Sequence, residues 1–539
     1  MLISKIKNQL TFCGLVFIVI SCISSFLTAK ADLSNILLIK VGTFICIFTL
    51  QILILHLVSA IFSFNATLFK MIFFVIALTS ALTITLQINN GFIITPQTLY
   101  AALHPEHNEV STIMGVMDYV IIAIVVSVSF VFVFANRDCI KLTFTRFYLG
   151  FLATFCCATL LFCFAMPQSF WHKTFGSQKK NNIHKAYFIK NIIYSAPVSV
   201  LYSALMLVNT GNKNNAAVQI ETFNHHNGDS DLKIYYIIGE SLRFDRMGIN
   251  GYGKNTTPNL VKESKSGRLI NFKMPTISCG ITTAQSVPCM LSGSLSGSNF
   301  DLLKIFKSAG FYTTLRSPHS THIFKPILPS LLTNCNLNLN NYIRDGDIEV
   351  FIKKDVIEFK NRKTFSVVQM LGSHSYYGIE KLIANKSNIL MPICKKQSLK
   401  ACFKTDGKLA MDNSYDNTVI YTDEILAKIF KLLQDENAII FFAPDHAEML
   451  GEDDKYGHGI VLPNGKEPEI QKQIPFFVWM SSRYIKQHKD IYGSILNKST
   501  KPTNHLAIYQ SIISCSGIKV KNLDTIEGGF CNSKSNLKL

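Results

Sequence analysis

Where the apolar residues lie constrains this 539-residue chain more than any other feature. Before residue 170 they gather into long runs, at residues 11–29, 41–62, 71–86, 119–135 and 147–166, and the later part reads as an ordinary globular sequence. A helix needs about 20 such residues to cross a bilayer, and the third run is near the lower limit. Five crossings leave the two ends of the chain on opposite sides of a membrane. Lys5, Lys7, Lys70, Arg137, Lys141 and Arg146 then share one side. Basic loops stay on the cytoplasmic side, so everything after Met166 is expected outside. Ala29-Lys30-Ala31 looks like a signal-peptidase site, which makes a cleaved leader the competing reading of the first run.

The outer loop at 89–118 carries His104, Glu106, His107 and Glu109. It is either a solvated connector or a lip that touches a lipid head group. Residues 171–215 are basic and polar around an apolar patch at 196–208, with Trp171, Tyr187, Phe188 and Tyr194 suited to a membrane interface. Residues 214–231 are polar and aperiodic, as a flexible linker is. The expected domains are thus 1–168 in the membrane, 169–231 bridging along it, and 232–539 beyond it. A formal net charge of +18 favours anionic surfaces. With no zinc-finger spacing or arginine-rich stripe, acidic lipid is the expected partner and nucleic acid is not.

Seven of the fourteen cysteines lie in the apolar part, where they suit burial as small apolar side chains. Among the other seven, Cys279 with Cys289 and Cys394 with Cys402 are close neighbours in segments rich in polar and turn residues. Local disulfides, and hence an oxidising compartment, are the natural reading. One of Cys335, Cys515 and Cys531 is then left free or pairs elsewhere.

From residue 232 strands and helices alternate, which implies a parallel sheet covered on both faces. Three apolar runs read as strands, and each ends in metal-ligand chemistry. Residues 234–238 end in Gly239-Glu240, residues 365–371 in Gly372-Ser373-His374, and residues 439–443 in Pro444-Asp445-His446. In open sheets of this kind, sites form beyond the carboxyl ends of strands. Oxygen and imidazole ligands converging there point to a divalent metal. Another histidine, His458, sits in a Gly-His-Gly turn. Helices are expected over 301–308 and 416–434.

A nucleophile is expected near such a metal. The stretch 278–289 offers Gly280 for a tight turn and Thr282 or Thr283 to begin a helix. A hydroxyl there lies beside free amides and the positive end of the helix dipole, which favours phosphate. A metal beside it lowers its pKa. Ordinary capping by a Ser/Thr-rich turn is the competing reading.

These blocks occur in one order: Gly239-Glu240-Ser241, Asn250-Gly251-Tyr252, Thr257-Pro258-Asn259-Leu260, SCGITTAQSVPCM, Gly372-Ser373-His374, Tyr415-Asp416-Asn417-Thr418, Tyr421-Thr422-Asp423, DHAEMLGE and Gly457-His458-Gly459. In them the chain resembles the lipid A phosphoethanolamine transferases, which include the mobile colistin resistance enzymes. The resemblance covers the whole chain. It implies a five-helix transmembrane domain followed by an α/β domain like that of alkaline phosphatases and sulfatases, in the periplasm beside the bacterial inner membrane. It further implies that Thr283 is the nucleophile, that Glu240, Thr283, Asp445 and His446 surround one Zn2+, and that His374 and His458 bind a second zinc or the incoming phosphate. The implied donor is phosphatidylethanolamine, and the implied acceptor is a phosphate or sugar of lipid A or lipooligosaccharide. The group passes through a phosphothreonine, a monomer suffices, and the modified envelope binds cationic peptides such as polymyxin less well.

The sequence departs from that family in three places. Cys335 has no close cysteine partner. Ala447 replaces the glycine of the usual Asp-His-Gly-Glu and is expected to crowd the metal loop slightly. The segment after Arg316 reads Ser317-Pro318-His319-Ser320-Thr321-His322 where relatives are Asn-rich, which leaves Lys325 as a weak candidate for phosphate contact. A phosphoglycerol transferase like the lipoteichoic acid synthases is the alternative, opposed by the SCG…VPC block. Sulfate ester hydrolysis is opposed by the lack of Cys-x-Pro-x-Arg or Ser-x-Pro-x-Arg around the nucleophile. A transporter is opposed by the few ionisable residues in the spans.

Overall fold

In the computed structural model the described residues are 229–293, 300–318, 345–374, 389–395, 405–462, 466–520 and 529–531, with the strands Ile220–Phe223 and Asn336–Leu339 and a few isolated positions. The five apolar runs and the loop at 89–118 lie outside them, apart from isolated positions. Among the described residues no helix is long and apolar enough to cross a membrane. Packing divides the chain into two units, and the second comprises residues 104–113, 210–459 and 469–539.

Seven strands of this second unit form one sheet. In chain order they are β1 (Lys233–Gly239), β2 (Leu269–Asn271), β3 (Tyr312–Ser317), β4 (Asn336–Leu339), β5 (Thr364–Gln369), β6 (Ala438–Pro444) and β7 (Phe477–Met480). Across the sheet they run β2-β7-β6-β1-β5-β3-β4. The five from β6 to β4 are parallel. At the other edge β7 runs antiparallel to both β6 and β2, so the sheet is mixed where the alternation predicts parallel strands alone.

All seven residues of β1 and of β6 are buried. Strands covered on both faces read as unbroken apolar runs, and successive side chains divide between the faces. Ile234, Tyr236 and Ile238 join Ile439, Phe441 and Ala443 in one apolar cluster, and Tyr235 and Ile237 join Ile440 and Phe442 in the other. Among the described residues the α-helices are α1 (Pro258–Lys265), α2 (Thr283–Ser292), α3 (Leu302–Ser308), α4 (Ile348–Glu358), α5 (Gly407–Leu433), α6 (Ser482–Gln487), α7 (Lys489–Lys498) and α8 (His505–Cys515). Val287 and Met290 of α2, Phe306 of α3 and Ile512 of α8 pack in the first cluster. Leu260 of α1, Ile352 of α4, and Val419 and Phe430 of α5 pack in the second. The unit is therefore a three-layer α/β/α fold.

Helix α3 matches the expected span, with Asp301 capping it by accepting from the Lys304 amide at 2.8 Å. Helix α5 begins nine residues before the expected 416. Its first turns bury Asn413 and Ser414 beside Ala410 and Met411, so apolar spacing does not reveal them. The stretch 214–231 is not wholly irregular either, because Ile220–Phe223 pairs antiparallel with Ile518–Val520.

Among the described residues three disulfides join Cys279 to Cys289, Cys394 to Cys402 and Cys515 to Cys531. The third settles the partner of Cys515, which sequence spacing left open. Cys335 lies outside the described residues.

Candidate metal centre and nucleophile

The register of the central strands builds the site. Lys233 pairs with Ala438 and Gly239 with Pro444, so β1 and β6 end level. The next residues, Glu240 and Asp445, therefore leave the sheet side by side, and the Asp445 amide donates back to Gly239 O at 3.0 Å. Glu240, Asp445 and His446 are fully buried. One donor atom from each lies within 4.8 Å of the others, a group able to hold a metal ion. His446 Nε2 is 3.4 Å from Glu240 Oε1 and 3.3 Å from Asp445 Oδ2.

Thr283 is the first residue of α2, with Thr282 as its N-cap. Its hydroxyl donates toward Glu240, with Oε1 at 3.2 Å and Oε2 at 3.3 Å, and stands 3.4 Å from His446 Nε2. Thr282 points elsewhere, its hydroxyl 3.4 Å from Gln285 Oε1. Of the two threonines, only Thr283 reaches the cluster.

Local chemistry fixes each ligand. The His446 Nδ1–H donates to Ala447 O at 3.1 Å, which leaves the lone pair of Nε2 facing the carboxylates. Burial pushes the His446 pKa down to about 3, against the pull of Asp445. The imidazole is therefore neutral, the form that ligates metals. Burial opposes ionisation of Asp445, but the donors around it, the Ser241 amide among them, hold its pKa below the usual range. Asp445 Oδ1 accepts from the amides of Ser241 and His446, whereas its buried Oδ2 has no hydrogen-bond partner. Two adjacent buried carboxylates, an unsatisfied oxygen and a neutral imidazole form an oxygen-and-nitrogen set that fits zinc.

Gly372 holds the neighbouring loop against Glu240. Its φ is +49°, and an added Cβ would lie 2.8 Å from Glu240 O and 2.9 Å from Glu240 N. The Ser373 amide donates to that same carbonyl at 3.0 Å. His374, the next residue, and His458 are half-buried at the rim, their rings 5.8 Å apart; the His458 ring lies 4.3 Å from that of His446. They stand beside the buried triad and are not among its three members. The His458 turn is tied to the nucleophile, since the Gly459 amide donates to Ile281 O at 2.9 Å. Glu448 accepts from His458 Nδ1 at 2.9 Å, which turns Nε2 to other partners.

The Sulfatase family model matches residues 233–518. The chain belongs to the sulfatase family. Among relatives of this sulfatase-family chain, the Kdo(2)-lipid A phosphoethanolamine 7''-transferase of Salmonella typhimurium is 28% identical over 316 residues, 54% of this chain and 53% of that protein. The phosphatidylethanolamine transferase Mcr-2 of Escherichia coli is 28% identical over 279 residues, 47% of this chain and 49% of that protein. The chain thus spans about half the length of the curated relatives it matches. The fold matches that of the integral membrane lipooligosaccharide phosphoethanolamine transferase A of Neisseria meningitidis, with a TM-score of 0.69, 20% identity, and coverage of 94% of this chain and 96% of that one.

Several residues that serve the site are not among the expected site residues. Ser241 adopts φ +56° and donates its hydroxyl to Glu240 Oε1 at 3.0 Å. Tyr415, buried in α5, donates to Ser241 O at 2.7 Å. Asp345 accepts from the amides of Leu371 and Gly372 at 2.7 and 2.9 Å. Tyr415 and Asp345 work through the backbone of distant residues, which no spacing rule reveals. The methyl of Ala447 is buried in the first apolar cluster. Ser317 donates to Gln369 Oε1 at 2.8 Å, and His319 to Lys325 lie outside the described residues.

Proposed function

We propose that this protein transfers phosphoethanolamine from phosphatidylethanolamine to a phosphate or sugar of lipid A or lipooligosaccharide. The observation that carries this reading is the Thr283 hydroxyl at a helix start, within 3.2 to 3.4 Å of a buried carboxylate and an imidazole. The names of the relatives supply the class of group transferred. The protein acts as a monomer in the bacterial inner membrane, crossing it several times, with residues 232–539 in the periplasm. Its product lowers envelope affinity for polymyxin.

Glu240, Thr283, Asp445 and His446 hold Zn2+. When bound, the cation lowers the pKa of the adjacent hydroxyl and draws charge from phosphoryl oxygens. Thr283 Oγ1 attacks the donor phosphorus, the bond from phosphorus to the glycerol oxygen breaks, and diacylglycerol leaves with a proton. Glu240 accepts the hydroxyl hydrogen bond, which leaves the lone pairs of Oγ1 for the attack. The first amides of α2 and the dipole of that helix favour the incoming phosphate. His374 and His458 meet its oxygens, or a second zinc, with Glu448 orienting His458. An acceptor oxygen of lipid A then attacks the phosphothreonine and the Thr283 hydroxyl is restored.

The test is mass spectrometry of lipid A from cells producing the full chain or its Thr283→Ala variant. Wild type adds phosphoethanolamine and Thr283→Ala does not, while Thr283→Ser keeps part of the activity. Normal transfer by Thr283→Ala refutes the nucleophile. Addition of phosphoglycerol instead refutes the donor class.

A further inference from the structure

His505 begins α8, on an element that supplies none of the proposed ligands or the nucleophile. It is fully buried, and both ring nitrogens are engaged. Nδ1 accepts from the Cys279 amide at 3.0 Å, and Nε2–H donates to Pro444 O at 2.9 Å. The partners fix the tautomer, since an amide only donates and a carbonyl only accepts. Burial agrees with this, lowering the His505 pKa to about 4, so the ring is neutral and offers one acceptor and one donor.

Both partners adjoin the site. Cys279 opens the turn that ends in Thr283, and Pro444 immediately precedes Asp445. Other backbone bonds place the same segment. Ile277 N donates to Thr503 O at 3.0 Å, and Ser278 N to Lys472 O at 3.0 Å. Only the imidazole, among these contacts, joins the turn directly to the end of β6.

We propose that His505 is a positioning residue that sets the distance between the Thr283 hydroxyl and the metal carboxylates by clamping the nucleophile turn to the end of β6. It touches neither the reacting atoms nor the metal ligands' side chains. The catalytic consequence rests on the phosphotransfer reading above; the clamp itself does not. Losing it opens the turn, and a misplacement of about 1 Å costs roughly a hundredfold in rate.

The experiment compares full-length wild type, His505→Phe and His505→Gln. Phenylalanine keeps the ring volume without hydrogen bonds. Glutamine offers one acceptor and one donor about as far apart as the ring nitrogens. Two readouts are taken: amide hydrogen exchange over residues 279–283, and transfer kinetics. The expected result is faster exchange there in His505→Phe, with kcat down about a hundredfold and KM within about twofold, and recovery of at least tenfold in kcat by His505→Gln. Unchanged exchange at Cys279 in His505→Phe overturns the clamp. Unchanged kcat, or equal losses in both variants, overturns the positioning role. A wild type that transfers nothing defeats the phosphotransfer reading, and the exchange result still decides the clamp.

Discussion

Asp445→Asn is expected to stabilise the metal-free protein and to destabilise it relative to wild type once zinc is present. Asparagine keeps the shape of the side chain. Its Oδ1 still accepts from the amides of Ser241 and His446, at 3.1 and 2.8 Å in the wild type. The buried Oδ2 that has no hydrogen-bond partner becomes an NH2. That position lies 3.3 Å from His446 Nε2, whose lone pair is available because Nδ1–H is committed to Ala447 O. An unsatisfied buried polar atom costs about 1–3 kcal/mol, and the new donor removes that cost. In chelator the variant therefore unfolds about 2–6 °C higher than wild type, at roughly 2 °C per kcal/mol for a unit of this size. Zinc at one hundred times its Kd adds about 2.7 kcal/mol to the wild type. The variant lacks a charged ligand and gains far less, so the order of the two proteins reverses. Thermal unfolding of the full chain in detergent, followed by the fluorescence of Trp479 buried in β7, reads this directly. A wild type that outlasts the variant in chelator refutes the account of the unsatisfied oxygen. Equal stabilisation of both by zinc refutes Asp445 as a ligand.

Gly372→Ala forces a methyl against the Glu240 backbone at positive φ. It is expected to cost about 1–3 kcal/mol and to lower zinc affinity, measurable by competition with a chromogenic chelator. Ala447→Gly removes a methyl buried in the core and is expected to cost about 1 kcal/mol in urea unfolding; a stabilised variant instead means that the methyl does crowd the loop. Burial holds His446 to about 3 and His505 to about 4, below the ordinary 6.5. Unfolded chains then bind protons that the folded protein refuses. Metal-free stability is therefore full above pH 6.5 and falls as pH drops toward 3, by about 2 kcal/mol per group at pH 5. Melts in chelator at pH 8 and pH 5 check this, and a flat profile defeats it.

Much of the sheet was legible in the sequence because β1, β5 and β6 are covered on both faces and so appear as unbroken apolar runs. Glu240 and Asp445 stood out because they follow those runs directly. Strand direction left no such mark. The residues of β7 are as apolar and buried as those of β6, yet β7 runs the other way. The start of α5 was hidden because its buried residues include Asn413 and Ser414, which satisfy polar partners: the Asn413 amide donates to Pro392 O at 3.1 Å and the Ser414 hydroxyl accepts from the Cys394 amide at 2.8 Å. The Cys515–Cys531 pairing depends on where α8 ends in space. His505 was invisible for a similar reason, since a lone histidine beside an asparagine cap gives no hint that the end of a strand 61 residues away and a turn 226 residues away reach its ring.

The level ending of β1 and β6 bears on how such a protein can change over time. Shifting either strand by one residue would turn every one of its side chains from one core to the other, so the spacing between Glu240 and Asp445 is inherited from the middle of the molecule. The rim around His374 and His458 is built from turns and carries no such burden. That rim can therefore be remodelled while the pair beneath it stays where the sheet put it.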